Sequence, residues 1–393
     1  MKSAMRLAPA LVVCAAVFLT AAEISPQPGG LTVHEWGTFT SVAGEDGFSV
    51  DWDTLGCKDD LPGFVNKFGY RDLKFRLQGT VRMETPVMYF YSPRELEAQV
   101  TVAFPQGVVT EWYPHAQYQI YQRSVLNGSV RRLDANLNGI DASLRSLTGG
   151  IEWRNIHVQP GAALALPVER GPSRYYAARA TDAAPLTVGG QHEKFLFYRG
   201  VGRFPVPLSA RLSGDGKVVV ENRSQAPVPS VILFENRGGR LGYRNAGDIS
   251  DTVTIDRPSL DGSLPQLRLD LEAALVAQGL FPKEAQAMVE TWRDSWFEEG
   301  SRLIYVVPSR AVDAILPLQV EPAPSQTARV FVGRIELITP EIERPVEEAV
   351  AKNDWPTIDR YSRFLGPILQ RLYAGNPSKV NQIEQLRRSR GCQ

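Results

Sequence analysis

Four histidines are spaced along the 393 residues: His34, His115, His157 and His192. Three have a carboxylate close by. His34 adjoins Glu35, His115 follows Glu111 by four residues, and His192 adjoins Glu193. Imidazole with carboxylate suits a divalent metal, which polarises a carbonyl or lowers the pKa of bound water. His34, Glu35, Glu111 and His115 are therefore the candidate metal ligands, and a divalent metal is the cofactor they imply. Adjacent residues on a strand face opposite ways, so His34 and Glu35 share an ion only where a strand ends. No H-E-x-x-H helix and no Cys/His pairing accompanies them. Unrelated structural or surface histidines account for the same pattern.

A second cation motif is partial. Asp134, Asn136 and Asn138 alternate before Gly139, as in the first half of a calcium loop. The twelfth position is Arg145 where a bidentate Glu belongs, so an Asn/Asp/Gly turn competes with the calcium reading. Three Glu-Trp pairs recur: Glu35-Trp36, Glu111-Trp112 and Glu152-Trp153. On strands, a core-facing Trp sends its Glu outward or into a cleft. Two such carboxylates would suit glycoside hydrolysis, but sequence gives no distance between them. No G-x-S-x-G elbow, P-loop, dinucleotide fingerprint or c-type haem motif occurs.

These residues must be positioned by a chain with 43 basic and 43 acidic residues. That balance excludes a basic nucleic-acid binder and an acidic disordered chain. Met1–Arg6 carries Lys2 and Arg6, Leu7–Ala22 is almost wholly apolar, and Thr20-Ala21-Ala22 ends it with small residues. This is the three-part form of a secretory signal with cleavage near Ala22. The predicted product is exported, periplasmic or extracellular, with no later stretch long enough to span a membrane as a helix. It retains Cys57 and Cys392, and an oxidising compartment permits a disulfide between them, worth about 5 kcal/mol by chain entropy. Two unpaired thiols are the alternative.

Residues 23–260 read as a β-rich body of short β-branched and aromatic runs. Asn127-Gly128, Asp215-Gly216 and Gly238-Gly239 supply hairpin turns. Residues 261–340 read as a helical insertion that returns to strands. Leu267, Leu271, Leu275 and Val276 share a helical face, and Met288, Trp292 and Trp296 continue at helical spacing. Residues 341–393 read as C-terminal helices ending in a solvated basic tail with Arg387, Arg388 and Arg390. The predicted class is mainly β, with sandwich-like antiparallel sheets, and α+β overall.

The run His34-Glu35-Trp36-Gly37-Thr38-Phe39-Thr40-Ser41-Val42 resembles the opening of a family of uncharacterised exported bacterial proteins. Trp292–Gly300 and Arg329–Arg334 are similar to later parts of that family. The resemblance implies an exported bacterial protein and brings no catalytic assignment. Two functions remain as expectations. One is a non-catalytic binding or structural component of the cell envelope, its partner unidentified. The other is a metal-assisted hydrolase acting on an envelope or extracellular polymer.

Overall fold

A computed structural model describes residues 30–54, 60–68, 79–123, 128–133, 146–171 and 173–389. The signal-like segment, the calcium-like Asp134, Asn136 and Asn138, and both Cys57 and Cys392 lie outside the described residues. The fold is mainly β, as predicted.

A nine-stranded sheet forms the middle layer. Its order is β15 (Arg240–Ile249), β14 (Val228–Arg237), β17 (Gly300–Val307), β19 (Gln326–Leu337), β1 (Thr32–Ala43), β3 (Val81–Tyr91), β11 (Leu196–Gly202), β5 (Gly107–Tyr113) and β2 (Asn66–Lys67). All neighbours are antiparallel except β1 and β19, which run parallel from Thr32↔Gln326 to Ala43↔Leu337. β17 and β19 therefore sit next to the N-terminal strand in the middle of this sheet, with β19 directly beside β1. The stretches read from sequence as body and insertion build one layer.

Two smaller sheets cover one face. The larger runs β10 (Gln191–Glu193), β9 (Leu186–Val188), β8 (Leu147–Val158), β4 (Leu96–Phe104) and β18 (Leu318–Glu321). β6 (Gln117–Arg123) also pairs with β8, and β7 (Val130–Arg132) pairs with β6. The other joins β12 (Leu208–Leu212), β13 (Val218–Asn222) and β16 (Thr252–Ile255). Val33, Phe39, Met83, Val100, Val102 and Trp153 belong to the core on this side.

Helices cover the opposite face. Helix α1 (Leu264–Ala277) buries Leu267, Leu271 and Leu275, the stripe expected from spacing, and Ser263 caps its start. Helix α2 (Pro282–Thr291) begins with Pro at its first position, where the missing N–H costs nothing. The helix stops at Thr291, so Trp292 and Trp296 lie in the turns that follow, both buried. They pack with Trp36, Tyr89 and Phe234. Because both faces are covered, all twelve residues of β1 are buried.

Two glycines in β1 and β19 make room for rings. A Cβ on Gly333 would lie 2.0 Å from the Tyr305 ring, and one on Gly37 would lie 2.7 Å from Phe331. The aromatic rings thus lie across strand positions that carry no side chain.

The C-terminal helices are α4 (Pro340–Lys352), α5 (Trp355–Arg360), α6 (Ser362–Leu372) and α7 (Pro377–Ser389), after a short α3 (Ser309–Ile315). They share a third core in which Val42 and Trp52 are the fully buried contributions from the β-layers. The expected solvated tail is corrected at Arg387. This residue is buried in α7 and paired with Asp53, because the helix folds back onto the body.

Candidate functional site

The four proposed metal ligands are not brought together. β1 places His34 on the helix-covered face and Glu35 on the opposite one. His34 Nδ1 lies 2.8 Å from Glu284 Oε2, and Tyr91 Oη donates to Glu284 Oε1 at 2.8 Å. Glu284 Oε2 also accepts from the Phe281 backbone N–H at 2.7 Å, closing the start of α2. Glu35 instead accepts from Arg329 Nε at 2.7 Å and from Tyr198 Oη at 2.5 Å. Burial and the Glu35 charge push the Tyr198 phenol well above its usual range, so it stays a donor. Glu111 is fully buried, accepts from Thr110 Oγ1, and faces Arg199 across the β5–β11 ladder. His115 alone is exposed. Among the described residues no three His, Cys, Asp or Glu side chains gather as a metal group.

The Glu-Trp pairs alternate as strands require, but two expectations about them fail. Glu35 and Glu111 do not project outward, because a sheet covered on both faces has no outward side. Each is matched by an arginine instead. Glu152 does project away from the core, while its neighbour Trp153 is fully buried and donates to Pro114 O at 3.0 Å.

Sequence reading missed a row of buried charges across the helix-covered face of the middle sheet. Arg302 on β17 has Nε 2.9 Å from Glu336 Oε1. Arg334 on β19 donates to the same oxygen at 2.5 Å, to Ser295 Oγ at 2.7 Å and to Glu298 at 2.6 Å. Arg363 of α6 reaches Glu336 Oε2 at 3.2 Å. Thr40 donates to Glu84 at 2.9 Å, and Arg82 lies 3.1 Å from Glu84. Arg199 grips Asp60 with two bonds of 2.8 and 3.0 Å. Thr85, beside this row, holds a left-handed φ of 47°, a costly conformation for a β-branched residue. The segments around His34, Trp292 and Arg329 meet at this row. Arg302 also donates to the backbone carbonyls of Trp296, Glu298 and Glu299 and so pins the turn between them.

Burial by itself would raise the Glu336 carboxyl, but Arg302, Arg334 and Arg363 outweigh it and hold it at about 2. Burial pushes Arg302 down to about 9, still charged at neutral pH. Asp60 falls well below the usual carboxylate range because Arg199 and Arg82 outweigh its burial. A depressed folded pKa contributes stability above the unfolded value and loses it as pH falls toward the folded one. Glu336 should therefore withdraw on the order of 3 kcal/mol between about pH 5 and pH 2. Urea unfolding at stepped pH should show the midpoint falling across that window. Glu336→Gln should start lower at neutral pH and fall less steeply. An equal slope in both proteins would contradict the assignment.

A separate cleft of about 460 Å³ on the larger covering sheet gathers polar side chains at the surface. It is lined by His115, Gln117, Glu152, Arg154, Asn155 and Gln191, among others. β6 pairs with β8 as far as Gln117↔Glu152, and β9 resumes at His157↔Thr187. The cleft lies over the interval between these two partners. There β8 carries a bulge, since Ala98↔Ile156 and Val100↔Trp153 leave an extra residue on β8. Asn155 takes a left-handed φ of 51°. A regular strand would send Arg154 and Asn155 to opposite faces; the bulge leaves both exposed between buried Trp153 and Ile156. Gln99 Nε2 donates to Glu152 Oε1 at 2.8 Å, and Arg154 Nε lies 2.8 Å from that oxygen. Gln191 Oε1 accepts from the His115 backbone N–H at 2.6 Å and ties the two rims.

A larger groove of about 630 Å³ runs between the end of β1, β12 and the C-terminal helices. Its Arg371 is already held between Glu45 at 3.1 Å and Glu343 at 2.6 Å. The smaller cleft is the better candidate because the His115 ring, Gln117, Asn155 and the Arg154 Nη groups have no side-chain partner among the described residues.

No protein-family model and no curated protein matches the chain. Among solved structures, the mu-homology domain of yeast delta-COP-I, solved with a Dsl1 WxWxV peptide, aligns with it. That alignment covers 80% of this chain and 100% of the other at 8% identity, with a TM-score of 0.29. Likeness at that level carries no argument. No helix among the described residues is long and apolar enough to cross a membrane.

Proposed function

We propose that the chain is an exported, non-catalytic binding protein of the cell envelope whose ligand site is the His115–Glu152–Arg154 cleft. One observation carries the reading. His34, Glu35 and Glu111, the residues suited to catalysis, are fully buried and bound to partners, while His115, Gln117, Arg154 and Asn155 in the cleft are exposed. The cleft volume falls in the range of small-molecule sites, about 300–1,000 Å³. Six of its nine lining residues carry hydrogen-bonding side chains, which favours a ligand with polar groups. The N-terminal charged, apolar and small-residue sequence supports export.

Co-sedimentation with isolated bacterial envelope fragments tests this. The purified protein should bind saturably, release no soluble fragments, and carry less than one equivalent of Zn, Mn, Fe or Ca. Release of soluble fragments by protein carrying stoichiometric metal would instead establish the hydrolase alternative.

A further inference from the structure

We infer that the cleft recognises a carboxylate on its ligand, with Arg154 as the group that binds it; this rests on the binding role proposed above. The Nε of Arg154 faces Glu152, and Glu152 is fixed from behind by Gln99. The terminal Nη groups have no partner among the described residues. A guanidinium restrained through Nε and open at its Nη edge offers two parallel N–H bonds, the geometry that a carboxylate matches. Restraint before binding lowers the ordering cost of the long side chain.

The surroundings complete the site. The bulge turns Asn155 out beside Arg154, placing an amide next to the guanidinium. Gln117 and the His115 ring stand on the β6 side, and neither has a side-chain partner among the described residues. These groups suit hydroxyls or amides beside the carboxylate. Glu152 offsets the charge of Arg154, so recognition depends on the geometry of the fork more than on a general field. A doubly charged phosphate would meet Glu152 at close range and is disfavoured. A uronic acid and the free end of a peptide both present a carboxylate flanked by hydroxyl or amide groups.

The test uses four small probes against the purified protein, read by ligand-observed NMR. D-glucuronate and N-acetyl-L-alanine carry the carboxylate; methyl glucoside and N-acetyl-L-alanine amide lack it. At least one acid should bind about 10- to 100-fold more tightly than its neutral counterpart, the loss expected for hydrogen bonds to a charged group. Arg154→Ala should remove that preference while the urea midpoint stays unchanged. Gln99→Ala, which frees Glu152 without touching the ligand, should weaken acid binding less than Arg154→Ala. Which acid binds distinguishes a sugar source from a peptide source. Equal binding of acid and neutral probes, or an unaltered preference in Arg154→Ala, overturns the carboxylate assignment. Failure of all four probes while envelope fragments still bind overturns it too and leaves the binding role standing. Failure of probes and envelope together overturns both.

Discussion

Replacing Glu336 with alanine should destabilise the protein by about 3–5 kcal/mol, the cost of breaking a buried ion pair from one side. Three arginines converge on this one carboxylate, and both Arg302 and Glu336 are wholly buried. Without Glu336, Arg302 and Arg334 would be positive charges side by side with no shared counterion. Arg302 also fixes the Trp296, Glu298 and Glu299 carbonyls, so its displacement would loosen the turns that carry Trp292 and Trp296. Urea unfolding should show a lower midpoint, and the near-ultraviolet signal of the tryptophans should change with it. A loss below about 1 kcal/mol, the range of an exposed pair, would contradict the network described here.

Glu284→Ala should have an effect of similar size, about 3–5 kcal/mol, through a different set of partners. The carboxylate is wholly buried and serves His34, the Tyr91 hydroxyl and the Phe281 backbone N–H at once. Alanine would strand two side-chain polar groups and open the first turn of α2. Truncating the exposed Glu348, which pairs with Lys352 on α4, is the control and should cost well under about 1 kcal/mol. Equal effects of the two substitutions, measured by chemical denaturation, would refute the structural role assigned to Glu284.

Local features of this fold were legible. Asp215-Gly216 and Gly238-Gly239 do separate β12 from β13 and β14 from β15, because only such residues meet the turn's φ angles at low cost. The Leu267–Leu271–Leu275 stripe does face a core. What alternation cannot report is how many layers cover a strand. Glu35 and Glu111 therefore looked available for chemistry, yet each lies between covered faces and depends on an arginine far away in sequence. The parallel pairing of β1 with β19 is equally invisible, since its partners are 294 residues apart at Thr32↔Gln326. The cleft left one readable trace. Arg154 and Asn155 are consecutive polar residues between Trp153 and Ile156, a break in strict alternation that marks the bulge. That His115 and Gln191 meet there depends on where β6 and β10 are packed, which no local pattern encodes.

We propose a division of labour in which buried ionisable residues hold the fold and the cleft binds the ligand. Envelope co-sedimentation of two variants, with folding of each checked first, tests it most directly. His115→Ala combined with Arg154→Ala should keep the wild-type unfolding midpoint and lose binding about 10- to 100-fold. Glu284→Gln should unfold at lower urea, yet its folded fraction should bind as tightly as wild type. Undiminished binding by the cleft variant, together with loss of binding by folded Glu284→Gln, would contradict the account.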